Sequence, residues 1–265
     1  MGACELTSSA RKAVQRDEQQ ALWVKCSRVQ VAMSAIDRNI YELRKYAIAP
    51  GRLPDMVGRF VDDLSILFPR HGIGVVGAWV AMAGPSMPTF VYLMRWENLE
   101  QRNASFKGFA ADRDWHEARA RSNGPSELVE HYDIQLLTCL DATGLEGAGS
   151  SDPTNGIELT LYCAANGCGP EMRESLLAHE IPARTRRGAE PIGTFEPITG
   201  PRLPGLVSIL RWPDAQTWSR VQDDLDADDA LRARRLAEIA SYGRTVLGHA
   251  DRFLMQPVAY RPRPA

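Results

Sequence analysis

Nowhere in the 265 residues is there an apolar run approaching the roughly 18 that a membrane-spanning helix requires. A surplus of one charge sign is equally missing: 31 basic and 33 acidic residues leave a formal net charge of −2. A nucleic-acid partner or an anionic membrane surface would need a basic excess, so neither partner nor membrane insertion is expected. Cysteine is sparse and odd in number, at Cys4, Cys26, Cys139, Cys163 and Cys168, with no CxxC spacing. That suits neither a disulfide framework nor a zinc ribbon, and reduced thiols in a cytoplasmic protein are the expectation. There is no GxSxG, no GxGxxG behind a strand, no P-loop and no HExxH, so the usual nucleophile, dinucleotide, phosphate and zinc signatures are all lacking.

The histidines show the same poverty of pattern. His71, His116, His131, His179 and His249 contain no HxH or HxxxH pair, and no metal site is expected. No cofactor is indicated; an axial haem ligand stays open, but no histidine is singled out for it. The acidic run Asp223–Asp229 lacks the spacing of a calcium loop and reads as a helix junction capped by Asp228.

What is present is a repeat. RHGIGVVGAW, a Gly84–Pro88 turn and FVYLMRW return 116 residues later as RRGAEPIGTF, Gly200-Pro201 and LVSILRW. The offset holds without a gap from Tyr41 to Trp96. Identical pairs include Glu42/Glu158, Leu43/Leu159, Tyr46/Tyr162, Gly72/Gly188, Gly77/Gly193, Pro88/Pro204, Arg95/Arg211 and Trp96/Trp212. An internal duplication of this period decides the architecture.

Within the first copy, Ile40 to Ile48 alternates as a strand, and Leu53 to Arg70 carries apolar residues at helical spacing until Gly72. Strands follow at Ile73–Ala83 and Thr89–Trp96, then two helices broken near Asp112, then a strand at Leu128–Leu140. This β-α-β-β-α-β order is the split, ferredoxin-like motif. The second copy repeats it from Ile157 to Pro257. The expected organisation is a tail at 1–38, domain one at 39–141, a Gly- and Ser-rich linker at 142–155, domain two at 156–260 and a frayed tail at 261–265. For the leading segment two readings stand: a start at Met33, or a disordered or loosely helical tail.

YELRKYAIAPGRLPDM, LFPRHGIGVVGAW and VYLMRWENLEQRNASFKGFAADRDW together resemble the NIPSNAP family. The second copy is diverged: Arg187 replaces His71, Phe195 replaces Trp79, and the Asp112–Trp115 stretch has no evident counterpart. The resemblance implies an α+β protein of the dimeric α/β-barrel type, its two ferredoxin-like halves packing face to face around a cavity. The wider superfamily holds cofactor-independent oxygenases, isomerases and haem enzymes, and most bacterial NIPSNAP proteins have no assigned reaction, so the name carries little chemistry. A homo-oligomer is compatible with it.

Alternation along the first strand puts Glu42, Arg44 and Tyr46 on one face and Tyr41, Leu43 and Lys45 on the other; Glu158, Thr160 and Tyr162 repeat the polar face. The polar face is expected to point into the barrel, where it either pairs internally or anchors a small ligand. Candidate ligand-binding residues are therefore Glu42, Arg44, Tyr46, Glu158 and Tyr162, joined by His71 at a helix end, Trp79 at a strand end and Tyr92 on strand three. Two functions remain: a protein binding a small organic ligand in the barrel cavity, or a metal-free oxygenase, isomerase or cyclase. Enzymatic use asks for a cavity of about 300 Å³ or more with convergent polar groups; an interaction module would fill that space with side chains.

Overall fold

The computed structural model describes residues 37–149 and 152–263; the expectations for residues 1–36 lie outside them. Strand β1 (Ile40–Ile48) leads to helix α1, built of Leu53–Gly58, a π-helical stretch Arg59–Leu64, and Ser65–Arg70. Strands β2 (Gly74–Ala83) and β3 (Thr89–Trp96), helices α2 (Leu99–Ala111) and α3 (Arg113–Asn123), and β4 (Val129–Asp141) complete the first half. The second half repeats the order: β5 (Gly156–Ala164), α4 (Gly169–Glu174, a π-helical Ser175–Glu180, and Ile181–Thr185), β6 (Glu190–Pro197), β7 (Gly205–Trp212), α5 (Ala215–Asp226), α6 (Asp229–Tyr242) and β8 (Leu247–Pro257). Among the described residues no helix is long and apolar enough to cross a membrane.

All eight strands close one antiparallel barrel in the order β1-β3-β2-β8-β5-β7-β6-β4. Each half supplies four adjacent strands, and the halves join where β2 meets β8 and β4 meets β6. Helices cover the outside. The closed eight-stranded barrel with an outer helical layer is the expected α+β fold, and closure removes the free sheet edges two separate halves would expose.

The duplication runs further than the alignment of identical residues suggested. Both halves place a π-helical stretch at the same point, Arg59–Leu64 and Ser175–Glu180. Asn98 and Asp214 cap equivalent helices by accepting the Gln101 and Thr217 amides. Asp112, which the sequence left without a counterpart, corresponds to Asp228, and both cap the following helix. Helix α6 has 14 residues against 11 in α3, and beyond it the offset steps to 118, so that Leu128 corresponds to Val246.

Two layers of apolar packing separate at the sheet. One side of β1 carries Tyr41 and Leu43 into a cluster with Trp79, Val91, Leu93, Leu159, Phe195, Val207, Ile209 and Met255. That cluster draws on both halves, so it fills the barrel interior. The opposite side carries Tyr46, Phe90, Tyr92, Met94 and Trp96 against Phe60, Leu64 and Phe68 of α1. The expected assignment of faces is therefore reversed: Glu42, Arg44 and Tyr46 point out of the barrel, beneath the helices, and so do Glu158, Thr160 and Tyr162. An apolar lumen shared by two similar sheets needs no polar partners, whereas helices can bring their own polar side chains to the sheet's outer face.

The connecting segments also depart from expectation. Leu145 and Ala148 of the presumed linker are buried with the barrel-interior cluster, so residues 142–149 pack against the barrel. The C-terminal residues return to the first half: Val258 N bonds Ala78 O at 2.9 Å, the Tyr260 ring lies 5.1 Å from Phe60, and Arg263 Nε bonds Ser65 Oγ at 3.0 Å. Arg263 also donates to the Val61 and Asp62 carbonyls. Those carbonyls belong to the π-helical stretch, whose widened turn leaves acceptors that an ordinary helix would use itself.

Candidate functional site

Beneath the helices of the first half, the sheet and α1–α3 enclose a cavity of about 360 Å³. Its floor is strand: Arg44 and Tyr46 from β1, Tyr92 from β3, Val129 and Tyr132 from β4. Its walls are helix: Met56, Arg59, Leu64 and Phe68 from α1, Arg102, Phe106, Phe109 and Ala110 from α2, and Trp115 and Arg119 from α3. The size exceeds the roughly 300 Å³ asked of an enzymatic cavity, but the space lies outside the barrel, whose own lumen is filled by side chains as expected of an interaction module.

The polar floor is wired together. Arg44 is only 9% exposed. Its Nε and Nη2 reach Glu42 Oε1 at 2.7 and 2.6 Å, and its Nη1 donates to Tyr46 Oη at 2.8 Å and Tyr92 Oη at 3.3 Å. The two tyrosine oxygens are 2.7 Å apart. Glu42 is fully buried and also accepts from Arg102 Nε and Nη2 at 2.8 and 3.0 Å and from Trp96 Nε1 at 3.0 Å. Burial would raise its carboxyl, but the Arg102 bonds and the Arg44 charge outweigh that and hold it below its ordinary value. Burial pushes the Tyr92 hydroxyl well above the usual range, so it stays protonated and can donate. Phe106 lies under the Arg44 guanidinium at 4.3 Å.

Arg59 completes the wall. It is 5% exposed, and it donates to Ser122 Oγ at 2.7 Å and to Asn123 Oδ1. Both are neutral acceptors.

The candidates drawn from sequence divide clearly. Arg44, Tyr46 and Tyr92 meet at this cavity, with Glu42 bonded behind them. Trp79 does not join them; it is fully buried in the barrel interior. Glu158 and Tyr162 occupy the equivalent position in the second half, beside a separate polar cavity of about 330 Å³. The barrel mouth holds a cleft of about 290 Å³ lined by Lys45, His131, Asp133, Arg202 and Asp251, whose carboxylates are paired as Lys45–Asp133 and Arg202–Asp251. Arg59, Arg102, Phe106, Arg119 and Tyr132 were missed. One signal was available for Arg59, a cation three residues after Met56 in an apolar helical stripe.

His71 stands apart from the cavity. Its Nε2 is 2.7 Å from Asp112 Oδ2, and in the second half Arg187 Nη2 meets Asp228 Oδ2 at the same distance. The repeated pair ties a helix end to the cap of a later helix, a structural duty. The His71 bond, opposed by burial and helped by the Asp114 amide and Arg70, holds the Asp112 carboxyl down to about 2. The folded value lies below the ordinary 3.8. The stability it contributes is therefore present above about pH 4 and is lost as pH falls towards 2. Asp112→Ala should cost about 1 kcal/mol in urea unfolding at pH 7 and flatten the stability loss between pH 4 and 2. His71→Arg, copying the second half, should stay within about 0.5 kcal/mol of the parent. An unchanged acid limb in Asp112→Ala would show that the bond does not form.

Residues 41–142 match the NIPSNAP family profile. Solved structures similar over most of the chain include an anthrone oxidase-like protein, 14% identical, covering 86% of this chain and 97% of its own with a TM-score of 0.54. A proposed monooxygenase from Fusobacterium nucleatum is 9% identical and covers 85% of this chain and 94% of its own, with a TM-score of 0.52. A NIPSNAP family protein of unknown function from Agrobacterium tumefaciens is 20% identical over 38% of this chain and 87% of its own, with a TM-score of 0.34. No curated protein matches the chain.

Proposed function

We propose that this chain, which belongs to the NIPSNAP family through its residues 41–142, binds a small organic molecule in the cavity between the first sheet and α1–α3. The observation that carries this is the pairing of an apolar, aromatic wall with a fixed polar floor in a space of about 360 Å³. Ligand sites are mostly apolar concavities with a few convergent polar groups, and Phe106, Phe109 and Trp115 set against Tyr46, Tyr92 and Arg44 have that composition. Because the bonds from Glu42 hold Arg44 in place, and Arg44 in turn holds both tyrosines, the donors are oriented before a ligand arrives. That lowers the ordering cost of binding.

The barrel lumen cannot serve this purpose, since Leu43, Trp79, Leu93 and Leu159 fill it. The second reading, a metal-free enzyme, rests on the Tyr46–Tyr92 hydroxyl pair. Held 2.7 Å apart beside a guanidinium, it could donate a proton to an oxygen atom placed on the floor.

The cavity reading is tested with N-phenyl-1-naphthylamine, a neutral probe that fluoresces in apolar surroundings. The parent protein should bind it saturably and quench Trp115. Ala110→Trp, which puts an indole into the cavity from the solvent-facing side of α2, should abolish binding with little change in melting temperature. Equal binding by the variant would refute the location.

A further inference from the structure

Resting on that cavity as the binding site, we infer that its ligand is an organic carboxylate carried on a flat, apolar body. The duplication supplies an internal control. Positions in the two halves can be compared one by one, and the layer between sheet and helices differs in charge and in aromatic content.

In the second half the layer neutralises itself. Glu180 Oε2 accepts from Arg184 Nη1 at 2.6 Å and Glu180 Oε1 from Arg235 Nη2 at 2.8 Å. Glu158 lies 3.6 Å from Arg184 Nε and 3.3 Å from Arg252 Nε. Ser175 donates to the buried Glu238 at 2.9 Å. Three carboxylates thus face the arginines.

In the first half these acids are lost and the cations are redistributed: Phe68 and Ile134 stand where Arg184 and Arg252 do, while Arg44 and Arg102 are gained at the positions of Thr160 and Trp218. Leu64 stands where Glu180 does, and Ser122 where Glu238 does; Arg59 replaces Ser175, while Arg119 matches Arg235. Glu42 remains, but it is shared between Arg44 and Arg102. Arg119 reaches only the half-exposed Glu127, at 2.8 Å. Arg59, nearly fully buried, has hydrogen bonds to Ser122 and Asn123 and, among the described residues, no salt bridge to a carboxylate. Burial favours its neutral form and Arg119 adds like-charge repulsion, which Tyr132, Glu127 and Asp63 offset only in part. A buried guanidinium without an acid is costly unless something supplies the counter-charge.

The chemistry of that counter-charge follows from the walls. Arg59 and Arg119 present planar donor forks, which suit a carboxylate. Trp115 flanks Arg59, with its ring centroid 5.8 Å from the guanidinium carbon, and Phe109 lies 4.6 Å from Trp115 at an interplanar angle of 33°. The two rings pack on one another and together form an aromatic wall against which a flat apolar body can lie, with the acid group at the Arg59 end and any far oxygen near Tyr46 and Tyr92.

The test compares 2-naphthoate with 2-naphthamide, its neutral near-isostere, by calorimetry at pH 7 on the full chain. The parent should bind the carboxylate about tenfold or more tightly than the amide. Arg59→Gln and, as a more exposed variant that spares the interior, Arg119→Gln should each shrink that preference while leaving amide binding within about twofold. Amide bound as tightly as carboxylate would overturn the inference and leave the cavity reading standing. Binding of neither probe, or of both equally to Ala110→Trp, would overturn the two together. A carboxylate preference undiminished in both arginine variants would also overturn the inference.

Discussion

Glu42→Ala is expected to destabilise the chain by about 3–5 kcal/mol, because removing one partner of a buried ion pair strands the other. Glu42 is fully buried and answers Arg44, Arg102 and Trp96 at once. Arg102 is 24% exposed along its side chain and can turn to water; Arg44, at 11%, cannot. Glu42→Gln should cost less, since an amide oxygen still accepts the Trp96 N–H. Glu42→Met combined with Arg44→Met should cost less than Glu42→Ala alone, because it removes the stranded charge as well as the carboxylate. The pH dependence has a defined sign. The Glu42 carboxyl is lowered from its ordinary 4.5, so its contribution is present at neutral pH and fades as pH drops below that value. Urea unfolding of the four proteins at pH 7 and pH 4 measures all of this. A loss under 1 kcal/mol for Glu42→Ala would mean that the cluster is solvated.

That cluster also marks where sequence reasoning stopped. Strands and helices were legible because periods of 2 and 3.6 differ plainly and Gly and Pro punctuate them. The duplication was legible because Glu42, Trp96 and their counterparts recur at a constant offset, and in the structure they form the same bond: Trp96 to Glu42 at 3.0 Å, Trp212 to Glu158 at 2.9 Å. Which face of β1 looks inward was not legible. Both faces are buried, so alternation separates them without naming the side. Only the helices' own contributions, Arg102 in one half and Trp218 at the same position in the other, both bonded to the repeated glutamate, mark the outer face as the polar one. Arg59 was hidden for another reason. Its spacing of three from Met56 puts it beside the apolar stripe, where a long cation is ordinarily read as reaching out to water along its aliphatic stem, and the spacing alone does not show that α3 closes over it.

Trp79→Ala should be nearly as damaging, at about 3–5 kcal/mol, and its effect should depend on Gly77. Trp79 is fully buried in the lumen, and a β-bulge shifts the β2–β3 register between Val75 and Gly77. A Cβ on Gly77 would sit 2.4 Å from the Trp79 ring and 3.0 Å from the Ala148 carbonyl. Gly193 stands in the same relation to Phe195, where a Cβ would lie 2.8 Å from the ring. The glycine is therefore a seat for the aromatic two residues on, whose side chain returns along the same face. Gly77→Ala alone should cost about 1–3 kcal/mol through overpacking. In a Trp79→Ala background the ring is gone, and the added methyl should cost much less. Only the contact with the Ala148 carbonyl then remains, so the double-mutant cycle should show a coupling of 1 kcal/mol or more. Trp79→Phe copies the second half and deletes an indole N–H that has no acceptor among the described residues. Losing that buried donor offsets part of the lost packing, so this variant should stay within about 1.5 kcal/mol of the parent. Strict additivity of Gly77→Ala and Trp79→Ala in chemical denaturation would mean that the ring does not rest on the glycine.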